Sequence, residues 1–379
     1  ALIFLICKGV NAIVSSLVAA LIAGLTNGFG VWETLSGYYV PGFLGFAGKM
    51  FFVFLFATIY GKIIGASGSA HRIAFTFIDL FGKKRVMLVI GLTTGVLVYG
   101  GVSAMVVVFT VLPISFVLIK EANIPKILLP AAIAWGQATF AMGALPGAPQ
   151  NPNIVPSTFL GTTPTAAPVI GIVGAIVMFA LGYLYLEWQI KRYRAKGIGF
   201  DENATINLSS REEWSRENCP GVIKAFSPLV FLVVSYLLLA NGKLGITMDS
   251  VTAVNTAMFA SIVLVFLLNP KKYKDLMAAF MDGAREWTLP LFNFTCMIAF
   301  GAVVQNTAGF ASVAAWLLAI PGSAYVSAAV ATSITCAITG SGSGGEGIAL
   351  NALAQSWLSA GANPAVLHRV VSIASCGLD

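Results

Sequence analysis

Apolar runs of about 20 residues recur along the chain, and they constrain its fold more than any other feature of the sequence. A helix of that length crosses the hydrocarbon core of a membrane, which is about 30 Å thick. The 379 residues include only 22 Lys and Arg and 15 Asp and Glu, too few to cover the surface of a soluble protein of this size. The sequence therefore predicts an all-α polytopic membrane protein and excludes soluble enzymes, nucleic-acid-binding proteins and secreted modules.

Basic residues predict the orientation of the chain in the membrane. Segment 191–224 carries 12 of the 37 charged residues (22 basic and 15 acidic), and we expect it to be a hydrophilic cytoplasmic loop, because Lys and Arg accumulate on that side. Segments 71–85 and 271–274 should face the same side, with Lys49, Lys243 and Arg369 as exceptions. The same bias explains the net charge of +7 without a nucleic-acid partner. Five scattered Cys and two His show no metal-ligand spacing, so neither a metal nor a cofactor is expected.

Two apolar segments, 86–119 and 324–358, are interrupted by glycine. About 14 residues on each side of such an interruption reach only part way through a bilayer, which favours re-entrant hairpins over two ordinary short helices joined by a tight turn. Irregular backbone at membrane depth is tolerated where it lines a cavity or is buried in protein. The residues at these two tips are Gly100, Gly101 and Ser103 in the first and Thr339, Gly340, Ser341, Gly342, Ser343, Gly344 and Gly345 in the second.

A third irregular stretch lies at 141–168, where six of the 16 prolines cluster. Proline removes a backbone donor and clashes with the preceding turn, so a helix cannot continue through it. The stretch is either an external loop or, as we favour, the unwound middle of a discontinuous helix over 125–165. The candidate binding residues of this stretch are Pro146, Gly147, Gln150 and Asn151. The uncharged side-chain amides of Gln150, Asn151 and Asn153 can form hydrogen bonds with substrate hydroxyls.

The interruptions recur at a spacing of 240 residues, which places Gly61 on Gly301 and Gly100 on Gly340. Linker 68–85 is charged whereas its counterpart 308–325 carries no charge, so the two repeats are expected to be inverted, as in secondary transporters. The predicted organisation is a first repeat over 1–190, with hairpin 86–119 and a final helix 168–190, then the loop 191–224. A second repeat over 225–379, with hairpin 324–358, is expected to be C-terminally incomplete by roughly 50 residues, by the repeat arithmetic.

One acidic residue, Glu346, lies beside the second tip. A carboxylate within the membrane is energetically costly, so its presence suggests a function. Glu346 is therefore expected to carry a coupled proton. The alternative is that Glu346 faces water at the mouth of the hairpin. A half-helix starting at Gly345 would point its positive dipole end at an anion. Asp379 and His368 are further proton-coupling candidates, although His368 and Arg369 are more simply interpreted as snorkelling from the outer start of a helix. The absence of an arginine cluster favours a substrate with one carboxylate.

At these residues the chain resembles the gluconate:proton symporter (GntP) family, within the ion-transporter superfamily of inverted-repeat carriers. The resemblance covers almost the whole chain and rests on Ala-Leu-Pro-Gly-Ala-Pro-Gln at 144–150, Thr-Gly-Ser-Gly-Ser-Gly-Gly at 339–345, and Leu-His-Arg at 367–369 leading to Gly-Leu-Asp at 377–379. Segment 141–152 departs from the Pro-His-Pro-Gly form of gluconate carriers and is more similar to a hydroxybutyrate-type or uncharacterised branch.

This resemblance implies proton-coupled symport of a small hydroxylated carboxylate, gluconate-like or 3-hydroxybutyrate-like, across the bacterial cytoplasmic membrane. It also implies a homodimer with a scaffold domain and a mobile transport domain, with the two tips and the proline-rich stretch as the substrate-binding residues. The alternatives are a sodium-coupled or citrate-type organic anion carrier and, from other classes, a channel or a membrane-embedded enzyme. The chain lacks a zinc-protease helix motif and a Cys/His cluster, which argues against the enzyme.

Overall fold

The computed structural model describes residues 2–82, 85–102, 104–201, 217–242, 245, 248–318, 323–339 and 342–377. Every regular element in these ranges is a helix. The first half contains α1 (Leu2–Cys7), α2 (Ala12–Thr26), a π-helical segment (Glu33–Tyr39) that continues into α3 (Val40–Ser67), α4 (Ser69–Phe81), α5 (Val86–Tyr99), α6 (Ala104–Glu121), α7 (Leu128–Trp135) with a π-helical continuation (Gly136–Ala144), α8 (Asn151–Leu160) and α9 (Pro168–Ala195). The second half contains α10 (Val222–Ala240), α11 (Ser250–Leu268), a 3-10 turn (Pro270–Lys272), α12 (Tyr273–Glu286), α13 (Thr288–Gln305), α14 (Ala308–Leu318), α15 (Ala324–Thr339), α16 (Gly342–Ser359) and α17 (Pro364–Ala374).

Long apolar helices dominate this arrangement. Within the described ranges, five helical stretches are long and apolar enough to cross a membrane: Glu33–Ser67, Pro168–Ala195, Val222–Ala240, Ser250–Leu268 and Pro270–Gln305. Helix α9 exposes large apolar side chains, among them Val169 and Leu181, as a helix that faces lipid does. These helices confirm the predicted all-α polytopic membrane protein.

Hydrogen bonds between distant loops define the two ends of the helix bundle. At one end, Arg72 Nε donates to the carbonyl of Pro220 at 2.6 Å, and Lys272 Nζ donates to the carbonyl of Ser67 at 3.5 Å. At the other end, Thr165 Oγ1 donates to Asn241 Oδ1 at 3.0 Å. Arg72, Pro220 and Lys272 thus lie at the same end of the bundle, and all three belong to segments that are predicted to face one side of the membrane. Which end faces the cytoplasm stays a prediction.

The two halves follow the same succession of helices. In the first, α3 leads to the short α4, the pair α5–α6 and α7; in the second, α13 leads to the short α14, the pair α15–α16 and α17. The linkers 68–85 and 308–325 contain the helices α4 and α14. The inverted orientation of the halves and the domain boundaries stay predictions.

Candidate functional site

The helix that begins with α7 is discontinuous. Its π-helical continuation ends at Ala144, and α8 begins at Asn151. Pro146 and Pro149 lie in this interval, which we call the break (residues 145–150), and Gly147 takes a φ of 80° that favours glycine. The break leaves carbonyls at the end of the first segment and amides at the start of α8 without partners inside a helix.

The tip between α5 and α6 lies against this break. Tyr99 Oη donates to the carbonyl of Pro146 at 2.8 Å. Gln150 Nε2 donates to the carbonyl of Val98 at 2.6 Å and to that of Val102 at 3.3 Å, so this side chain holds the tip to the start of α8. The structure therefore brings the first tip and the proline-rich stretch together. Their role in substrate binding stays a prediction.

Leucines of α10 cover the first tip. Gly100 and Gly101 pack against Leu229 and Leu232 so closely that neither position has room for a side chain. Gly101 also has a φ of 90°, which a residue with a β-carbon rarely adopts. The third tip residue proposed from the sequence, Ser103, lies outside the described residues.

The second hairpin is tighter than the sequence indicates. Helix α16 already begins at Gly342, so the prediction of a half-helix starting at Gly345 is wrong by three residues. The physical reason is helix packing, because a β-carbon at Gly345 would collide with the backbone of Thr335 and Cys336 on α15. Thr335 Oγ1 donates to the carbonyl of Gly345 at 2.9 Å. Thr339 ends α15, and Gly340 and Ser341 lie outside the described residues.

Glu346, in the first turns of α16, is completely buried, with a relative exposure of 0%. Among the described residues, neither of its carboxylate oxygens has a hydrogen-bond partner. Arg369 interacts with it electrostatically. Helix α16 packs against α8, and a β-carbon at Gly347 would lie 4.0 Å from Cγ1 of Val155. The alternative in which Glu346 faces water at the hairpin mouth is therefore wrong for this conformation. Asp379 lies outside the described residues.

Arg369, on α17, is also buried, with a relative exposure of 0%. Its Nη1 atom donates to the carbonyl of Gly143 at 2.8 Å and to that of Ala144 at 3.3 Å, the free carbonyls at the end of the first helix segment. Its Nε and Nη2 atoms donate to the carbonyl of Ala166 at 3.2 and 2.9 Å, and Nη2 reaches that of Pro164 at 3.2 Å. A guanidinium charge thus complements the negative end of a helix and ties both sides of the break together.

The expectation that His368 and Arg369 snorkel to the membrane surface is therefore wrong. Snorkelling requires that the side chain reach water from a helix end, but here the ends of two other helix segments supply buried acceptors within reach. One feature of the sequence indicated this burial. Arg369 lies in an apolar segment outside the basic loops, and an arginine within the membrane is costly unless it has a functional role and buried partners.

His368 and Asn153 extend the buried network. Asn153 Nδ2 donates to the carbonyls of Ala148 at 2.9 Å and Pro164 at 3.0 Å, so its Oδ1 accepts, at 2.9 Å from Arg369 Nη1. His368 Nε2 lies 3.3 Å from the same oxygen, which assigns the proton of neutral His368 to Nε2.

The other ring nitrogen, Nδ1, then accepts from Thr162 Oγ1 at 2.6 Å. The polar groups of Asn153 are all engaged by the protein in this conformation, and its contact with substrate hydroxyls stays a prediction.

Asn151 and Ser343, near these elements, make no side-chain hydrogen bond to the residues that the structure describes. Asn151 is the first residue of α8 and is half-buried, and Ser343 lies in the first turn of α16 with a relative exposure of 7%. Each lies at a helix start, where backbone N–H groups and the positive end of the dipole favour an anion. The candidate site thus combines two helix starts, hydroxyl and amide groups, and a buried carboxylate.

Comparison with known proteins identifies the family. The sequence profile described as "GntP family permease" matches residues 1–282. The chain belongs to the GntP permease family. The resemblance noted in the sequence is thereby confirmed, whereas the hydroxybutyrate-type branch stays a prediction.

Several relatives of this GntP-family chain bear the names of transporters. It is 34% identical to the "Uncharacterized transporter YxjC" of Bacillus subtilis (strain 168), over 100% of this chain and 87% of that protein. It is 32% identical to a high-affinity gluconate transporter of Escherichia coli (strain K12), over 37% of this chain and 31% of that protein. It is 30% identical to a gluconate permease of Zymomonas mobilis subsp. mobilis, over 50% of this chain and 42% of that protein. The chain is therefore a transporter of the bacterial inner membrane and not an enzyme.

Proposed function

We propose that this chain is a secondary active transporter that couples the movement of a small hydroxylated carboxylate to a proton. The observation that carries the proposal is the carboxyl group of Glu346, which is buried beside the helix starts and has no hydrogen-bond partner in the described part of the chain. Relatives named as gluconate transporters support the substrate class. The substrate is gluconate-like or 3-hydroxybutyrate-like, carried across the cytoplasmic membrane.

The proposed substrate site lies between the two tips and the break. The carboxylate of the substrate binds where α8 and α16 begin, because both helix starts present N–H groups and positive dipole ends. Asn151 and Ser343 bind its hydroxyl groups, since their side chains make no hydrogen bond within the described ranges in this conformation. Gln150 and Tyr99 act as positioning residues, because they hold the first tip against the break.

Other predicted site residues shape this pocket. Pro146 accepts the bond from Tyr99, and Gly100, Gly101 and Gly147 allow close backbone approach. Gly345 lets α16 approach the backbone of α15, and Gly342 and Gly344 lie in the same first turns of α16. The proposal also retains, as substrate-binding residues of the two tips, Ser103, Thr339, Gly340 and Ser341.

Glu346 carries the coupling proton in this proposal. Burial of an ionised carboxylate without hydrogen bonds costs far more than burial of the neutral acid. A proton on Glu346 therefore lets the loaded site cross the membrane, and release of that proton on the other side favours a hydrated conformation. His368 is the second candidate, since Thr162 contacts it, and Asp379 remains the third.

The proposed architecture consists of two inverted repeats, over 1–190 and 225–379. They are divided into a scaffold domain and a mobile transport domain that pair as a homodimer. The same succession of helices in both halves supports the repeat. Secondary transporters with such repeats bind substrates near the bilayer midplane where discontinuous helices meet.

Uptake into proteoliposomes tests this function. The purified chain is reconstituted and given labelled gluconate, 3-hydroxybutyrate or citrate, with an inward proton gradient, an inward sodium gradient or neither. We expect accumulation of a hydroxylated monocarboxylate with the proton gradient alone, abolished by a protonophore. Accumulation that requires sodium and ignores pH would replace the proposal with a sodium-coupled carrier. A preference for citrate would indicate a citrate-type carrier, and flux without accumulation would indicate a channel.

A further inference from the structure

A partly open cavity of about 620 Å³ lies away from the break, at the far end of α8. Its wall includes four hydroxyl groups from the end of α8 and the following turn: Ser157, Thr158, Thr162 and Thr163. The start of α11 forms another part of the wall, and α3 contributes Lys49. Cavities of about 300–1,000 Å³ are the usual size for small-molecule sites.

Lys49 is the unexplained group of this cavity. It belongs to the long helical stretch Glu33–Ser67 and is exposed, and it lines the cavity together with Ala240 and Asp249. This is the end of the bundle that the contact between Thr165 and Asn241 marks. No ion pair or hydrogen bond is recorded for it among the described residues. Lys62, on the same helix, shows what a paired lysine does here: its Nζ lies 2.6 Å from a carboxylate oxygen of Glu286.

Asp249 is the acidic residue that lines the cavity, and its carboxylate is already engaged. Its Oδ1 atom accepts hydrogen bonds from the backbone N–H groups of Val251 at 3.0 Å and Thr252 at 3.1 Å, and Oδ2 accepts from the Thr252 hydroxyl at 2.5 Å. Partial burial acts to raise the pKa of Asp249, but these hydrogen bonds lower it below its ordinary value. The carboxylate therefore caps α11 and leaves Lys49 free to bind an anion from solution.

The wall of this cavity also touches the buried network. Thr162 lines the cavity and lies 2.6 Å from Nδ1 of His368. His368 in turn contacts Asn153, to which Arg369 donates. The side chains of Thr162, His368 and Asn153 thus form a chain of polar contacts from the cavity to the carbonyl of Ala148 in the break.

We propose that this cavity is a second ligand site, which holds a hydroxylated monocarboxylate before it reaches the break. Lys49 binds the carboxylate. The hydroxyls of Ser157 and Thr158 donate to backbone carbonyls of α8, and those of Thr162 and Thr163 contact His368 and Thr165. Their oxygen lone pairs accept hydrogen bonds from the hydroxyl groups of the bound molecule. The ligand class rests on the proposed function, whereas the anion-binding role of Lys49 rests on the cavity itself.

The first test compares Lys49→Gln with Lys49→Arg and with the control Lys62→Gln in proteoliposome uptake of labelled gluconate and 3-hydroxybutyrate. Loss of one charge contact should raise KM at least about threefold and leave the maximal rate unchanged. The effect should shrink at high salt, because partly exposed charges are screened. Lys49→Arg and Lys62→Gln should keep the wild-type KM. An unchanged KM in Lys49→Gln, in a preparation whose wild type transports, overturns the proposal.

The second test does not depend on transport. Thr163→Cys places a thiol in the cavity wall, and its rates of modification by an anionic and a cationic thiosulfonate reagent are measured with Lys49 present or replaced by Gln. The chain without the added thiol gives the background. We expect Lys49 to raise the ratio of anionic to cationic rates at least about threefold. An unchanged ratio overturns the anion site. A changed ratio in a protein that transports no carboxylate supports the site and rejects the proposed function.

Discussion

Replacement of Arg369 by Met, a side chain of similar length without donors, is predicted to destabilise the break. The carbonyls of Gly143, Ala144 and Ala166 would lose the donor that they have in the wild type. Each buried acceptor left unsatisfied costs about 1–3 kcal/mol, or about 3–9 kcal/mol for three. Part of this cost is offset because the variant no longer desolvates a guanidinium, a penalty of several kcal/mol. With about 6 kcal/mol as the middle of that range and an offset of about 2 kcal/mol, we expect a net loss of about 4 kcal/mol.

Thermal unfolding of the purified chain in detergent measures this loss. An unfolding entropy of about 2.1 cal/mol/K per residue gives about 0.8 kcal/mol/K for the chain, so Tm should fall by about 5 °C. Arg369→Lys keeps the charge and three donors, and it should recover about half of the decrease. Arg194→Met is the control, since Arg194 is exposed and donates one hydrogen bond at 3.3 Å to the carbonyl of Ala122. A Tm for Arg369→Met within 1 °C of wild type would refute the account of how the break is held.

Two further predictions concern the tips. Gly345→Ala should push α16 away from the backbone of Cys336 and reduce both Tm and uptake. The control Gly309→Ala, at a position with open space, should leave both unchanged. Equal Tm values for the two variants would show that the close packing is unimportant. Tyr99→Phe removes the hydrogen bond to Pro146 and should cost about 1 kcal/mol and lower the uptake rate. Wild-type uptake by Tyr99→Phe in proteoliposomes would exclude a positioning role for the hydroxyl.

The hairpins and the discontinuous helix could be anticipated because glycine and proline act locally. Pro146 and Pro149 interrupt a helix whatever surrounds them, and the interruption near Gly100 lies where α5 ends. The residue at which α16 begins could not be predicted from its glycines. Glycine is as compatible with a tightly packed helix as with a loop, and the choice depends on Cys336 of the facing helix.

The role of Arg369 was hidden for a different reason. Its acceptors are backbone carbonyls more than 200 positions away in the chain, such as that of Gly143, and every residue type has a carbonyl. Only the fold shows that the end of one helix segment lies beside α17. For Glu346, by contrast, its place beside a glycine-rich interruption in an apolar segment was enough to single it out.

The most direct test of the central proposal is the exchange of Glu346 for Gln, which mimics the protonated carboxyl group. Reconstituted Glu346→Gln should still exchange labelled for unlabelled substrate across the membrane, because a permanently neutral site can move with substrate. It should fail to accumulate substrate under a proton gradient, and its exchange rate should lose the pH dependence of the wild type. Accumulation by Glu346→Gln at the wild-type level, with unchanged pH dependence, would contradict the account.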